Sequence, residues 1–75
     1  MSIHTVAPVK PEYIRIVKAD AQYVGRVGQV VSEGDHGSMT LIFVKLVGES
    51  CDLVFDKENL EYITKKEYFI GALGG

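Results

Sequence analysis

Met39-Thr40-Leu41-Ile42-Phe43-Val44-Lys45-Leu46-Val47 is the most strongly strand-forming stretch of this chain, and polar turn sequences bound it on both sides. Ile42, Val44 and Leu46 fall on alternate positions, the period of a strand with one face against a core. Leu41 and Phe43 on the opposite face are apolar as well. A strand apolar on both faces is either buried on both or turns its outer face to another surface. Upstream, Ser32-Glu33-Gly34-Asp35-His36-Gly37-Ser38 is dense in turn formers and predicts a hairpin loop. Downstream, Gly48-Glu49-Ser50 predicts a second turn.

Working outward, Tyr13 to Lys18 predicts a first strand, with Ile14 and Ile16 on its inner face. Ala19 to Tyr23 is a loop, and a second strand is expected from about Arg26 to Glu33. Cys51 to Phe55 predicts a fourth strand, Asp56 to Asn59 a single helical turn, and Leu60 to Ile63 a short closing strand. The predicted fold is all-β: a small five-stranded antiparallel barrel over 13–64, an extended N-terminal arm over 1–12 and a short C-terminal helical tail over 65–75. Pro8 and Pro11 disfavour regular pairing in the arm. The expected core is Ile14, Ile16, Val30, Ile42, Val44, Leu53 and Phe55. Thr64-Lys65-Lys66-Glu67 fits a capping box that starts the tail helix, Ile63 and Tyr68 stand where a hydrophobic staple would put them, and Gly71 is the expected stop.

A chain of 75 residues makes one domain and has little interior. Its one cysteine, Cys51, forms no internal disulfide, and no set of Cys and His has structural-zinc spacing. Tight packing and self-association are the remaining sources of stability. The single cysteine, and a start without a basic segment leading into an apolar run, point to a reducing cytoplasm. Met39 to Val47 is far short of the roughly 20 apolar residues of a membrane helix, so no membrane partner is expected. Eight Lys and Arg against ten Asp and Glu give a net charge of −2, which opposes general phosphate binding.

The segment Ile14-Arg15-Ile16-Val17-Lys18-Ala19-Asp20-Ala21-Gln22-Tyr23-Val24-Gly25-Arg26-Val27-Gly28-Gln29-Val30-Val31 resembles the KOW motif. That family has a strand, a loop ending in an aromatic, then Gly-x-x-Gly-x-Val opening a second strand; Tyr23, Gly25, Gly28 and Val30 stand at those places. Gly28 is expected to let the chain turn sharply, and Val30 to return it to the core. The resemblance implies a Src-homology-3-like barrel whose first loop contacts RNA or protein. Lys18, Tyr23 and Arg26 would then form a nucleic-acid surface, an aromatic for stacking beside two cations. The chain is also similar to small barrel subunits that dock on photosynthetic electron-transfer complexes, through a Val-Gly-x-Val pattern and the closing segment Phe55-Asp56-Lys57-Glu58-Asn59-Leu60-Glu61.

No residue pattern points to catalysis. His4 and His36 lack companions at ligand spacing, Ser38, Thr40 and Ser50 lack a nucleophile-elbow context, and the acids Glu33, Asp35, Glu58 and Glu61 read as solvated turn residues. Cys51 is expected to be a buried, inert thiol. Neither a cofactor nor a metal is implied. The excess of apolar sequence points instead to a protein-interaction module that self-associates or docks on a larger assembly. Its expected surface is Leu41, Phe43, Val54, Phe69 and Ile70.

Overall fold

The computed structural model describes residues 4–6 and 11–74. Its strands are β1 (His4–Val6), β2 (Tyr13–Ile16), β3 (Val27–His36), β4 (Met39–Leu46), β5 (Leu53–Asp56) and β6 (Leu60–Ile63). A 3-10 turn (Lys57–Asn59) separates β5 from β6, and one helix, α1 (Lys65–Gly74), follows. The strands lie in one open sheet in the order β5-β4-β3-β2-β6, with β1 added to β3. Every pairing is antiparallel.

β3 organises the sheet because it is long enough to serve two strands along one edge. Its first half pairs with β2, from Val27 to Gln29, and its second half with β1, from Glu33 to Asp35. Its other edge pairs with β4, and the register shifts between Val30 and Ser32. Such a bulge bends a strand and sharpens its twist, so the halves of β3 take different directions.

The strand therefore runs through residues predicted to be loop. Ser32 to His36 are turn formers, but β4 pairs with all of them and β1 adds a second partner strand along Glu33 to Asp35. Only Gly37 and Ser38 are left to turn the chain, with Gly37 at φ 66°. The expected extended arm is likewise corrected at His4–Val6, which pairs with β3. The prolines that disfavour pairing lie outside those positions, and the arm's residues 1–3 and 7–10 lie outside the described residues.

Ile14, Ile16, Val30, Ile42, Val44, Leu46 and Leu60 form one buried cluster, and Tyr23, Leu53 and Phe55 pack against it half-buried. Five of the seven expected core residues are thus fully inside, while Leu53 and Phe55, on edge strand β5, line the rim. Leu46 and Leu60 complete the inner face through their pairing with Gly28 and Ile16. Gly28 does not turn the chain. A Cβ there would lie 2.7 Å from the Lys45 carbonyl oxygen and 2.9 Å from Leu46 Cδ2, so this glycine permits the close approach of β3 and β4. The turn belongs to Gly25, at φ 89°.

Candidate interaction surface

The helix begins where local chemistry says it should. The Glu67 N–H donates to Thr64 Oγ1 at 3.1 Å, and the Thr64 N–H donates to Glu67 Oε1 at 3.1 Å. Each side chain thereby satisfies a backbone donor that the first turn leaves without a partner. The backbone hydrogen bond from Thr64, then its hydroxyl, then the Arg15 guanidinium hold the Glu67 carboxyl below the usual glutamate range.

Below this start, α1 docks on the outer face of β2 and β3. The Tyr68 ring stacks on Tyr13 at 4.5 Å between centroids. Arg15, next but one to Tyr13, reaches Glu61 at 2.9 Å and Glu67 at 3.9 Å. One turn on, Gly71 meets Val27, and a Cβ on Gly71 would stand 2.9 Å from Val27 Cγ1. Val27 is consequently buried although it lies outside the main cluster. The helix continues through Gly71 to Gly74, so the expected stop is a packing contact.

Docking uses only one side of α1. Tyr68, Gly71 and Ala72, three and four apart, are half-buried. The other side leaves Phe69 47%, Ile70 61% and Leu73 88% exposed. Lys65 Nζ lies over the Phe69 ring at 5.8 Å. Beside the helix is a shallow groove of about 450 Å³ with Val24, Val47, Gly71 and Ala72 among its walls. Val24 and Val47 are themselves exposed.

The five residues expected to form one surface divide between two places. Phe69 and Ile70 are on α1, whereas Leu41, Phe43 and Val54 are on β4 and β5. Leu41 and Phe43 do not stand in water as expected; both are half-buried, because β4 has a neighbour on each side. The register sets Phe43 between Ser32 and Val54, and Leu41 between Gly34 and Asp56. Val54, on the edge strand, is 50% exposed. Leu73, an apolar tail residue like Phe69 and Ile70 but not counted in the expected surface, is exposed beside them on α1.

Of the second expected surface, Arg26 and Tyr23 make contacts within the fold. Arg26 Nη1 donates to Glu49 Oε2 at 3.1 Å, and Nη2 donates to the Val47 carbonyl. The Tyr23 ring packs edge-on against Phe55 at 5.8 Å, on the rim of the core. Lys18 alone is exposed and outside any ion pair among the described residues.

Burial, then the Glu12 and Glu33 carboxylates, raise the Tyr62 phenol above the ordinary tyrosine value. Lys57 lies 6.0 Å from its ring centroid and 3.9 Å from Glu33 Oε1. Cys51, expected to be buried, is exposed, because β5 begins only at Leu53 and leaves it in the preceding bend. His36 is exposed beside the Gly37-Ser38 turn. Among the described residues, no group of three or more His, Cys, Asp or Glu could hold a metal ion, and no helix is long and apolar enough to cross a membrane. Compared with protein-family models, curated proteins and solved structures, the chain matches none.

Proposed function

We propose that this chain is a non-enzymatic protein-interaction module built on a Src-homology-3-like barrel, and that it binds through the outer face of α1. One observation carries the reading: α1 is docked by Tyr68 and Gly71, yet its other side leaves Phe69, Ile70 and Leu73 in solvent. A tail that served only to cover the sheet gains nothing from three large apolar side chains facing away from it. Their withdrawal from water would contribute roughly 1.5–3 kcal/mol each before the cost of association.

The barrel reading is supported by the bent β3, by the 3-10 turn before the closing strand, and by the return of β6 to pair with β2. The KOW resemblance adds Tyr23 against the core and Gly25 with its positive φ. The nucleic-acid reading is weaker, since Arg26 is neutralised by Glu49 and Tyr23 offers only part of its ring for stacking.

Ile70→Glu and Leu73→Glu test the module. Each is expected to abolish the chain's associations, with itself or with a partner reconstituted from purified components, while the circular dichroism spectrum stays that of the wild type. Associations that survive both substitutions would remove α1 as the binding face.

A further inference from the structure

We infer that the occupant of α1's outer face is a second copy of this chain, with the two helices packed antiparallel about a two-fold axis near Phe69 and Ile70. The inference rests on the interaction reading above and names its partner.

Charge and spacing carry it. Lys66, Ile70 and Leu73 follow one another at helical spacings of four and three, so they form one stripe on the side away from the sheet. Lys66 stands in the first turn, where the amide end of the helix disfavours a cation, and no carboxylate among the described residues pairs with it. The last turn has the opposite need. Its carbonyl end favours a cation, and it carries no basic side chain. The last turn therefore lacks the cation that the first turn displays.

Antiparallel pairing satisfies both. The helix spans 65–74, so a crossing at Phe69 and Ile70 lies at its midpoint. There the Lys66 ammonium of each copy falls opposite the partner helix's last turn, beside the carbonyls of Leu73 and Gly74. Ile70 meets its symmetry mate, and Leu73 lies along the stem of the opposing lysine. A parallel pair would set Lys66 against Lys66. Gly74 presents no Cβ to hold the helices apart at that point. A helix this short offers less than the roughly 800 Å² per partner of a standard interface, so dissociation on the order of tens to hundreds of micromolar is expected.

Lys66→Glu separates this arrangement from any merely structural role of the residue. An acid in the first turn suits the helix's own dipole, so the monomer should be at least as stable as the wild type. The same acid would face the partner's carbonyl end, so dimerisation should weaken by about three- to tenfold. Orientation is read by disulfide trapping in a Cys51→Ser background, which removes the native exposed thiol. Ile70→Cys should oxidise to a homodimer, and Lys66→Cys mixed with Leu73→Cys should give the mixed disulfide in preference to either homodisulfide. A Lys66→Glu dimer as tight as the wild type, or a preference for homodisulfides at position 66, would overturn the antiparallel pair. A chain that stays monomeric at about 1 mM while a purified partner binds through Ile70 would end the dimer and leave the module standing.

Discussion

Thr64 and Glu67 show how much a short stretch of sequence can decide. Their reciprocal hydrogen bonds are local, so four residues suffice to predict them, and they form as expected. Thr64→Ala should cost about 1 kcal/mol in urea denaturation, with the loss confined to α1. Because the folded Glu67 carboxyl titrates below its unfolded value, its contribution is present above the ordinary glutamate range. That contribution disappears as pH falls through the lowered value, so helicity should drop in that acid window and Glu67→Gln should flatten the drop. Gly71 was not legible in the same way, since the atom that requires it lies far away in sequence, on Val27. In an open helix, Gly→Ala would stabilise by up to about 1 kcal/mol. At Gly71 the added methyl meets a β-branched side chain with little freedom to move, so Gly71→Ala should lower the melting temperature. Gly74→Ala, with nothing within 4 Å, should not.

Strands and helix were legible where one period governed a whole element. β2 follows the alternation of apolar residues, and β6 has the predicted bounds. β3 departs from it because pairing on two edges overrides the turn propensity of Ser32 to Asp35. No window of local sequence contains that pairing. The docking of α1 on β2 and β3 was equally out of reach, although Tyr68 was noted as a staple residue and Gly71 as the helix stop. Tyr68→Ala should release the helix from Tyr13, with a loss of about 0.5–1.5 kcal/mol beyond the area exposed. Amide exchange should then accelerate in 65–74 and at Val27, while the protection of β4 persists.

For the whole molecule, the sequence shows an apolar excess, and Phe69 and Ile70 within it are exposed on α1. The sequence reading grouped them with Leu41 and Phe43 because composition reports the amount of apolar surface and not its position. The structure half-buries those two within the sheet, leaves Val54 exposed on its edge, and places Phe69, Ile70 and Leu73 together on one helix. With Arg26 held by Glu49, a low-salt gel-shift titration with single-stranded RNA at tens of micromolar protein should give no complex that Tyr23→Ala or Arg26→Ala weakens.

Sedimentation equilibrium of the wild type beside Ile70→Glu and Phe43→Glu tests the central claim most directly. A reversible monomer–dimer equilibrium is expected, with dissociation on the order of tens to hundreds of micromolar, and Ile70→Glu should abolish it. Phe43→Glu should leave the dimer assembled at protein concentrations where its sheet remains folded. A wild-type monomer at every concentration up to about 1 mM, or a dimer that Ile70→Glu leaves intact, would contradict that claim.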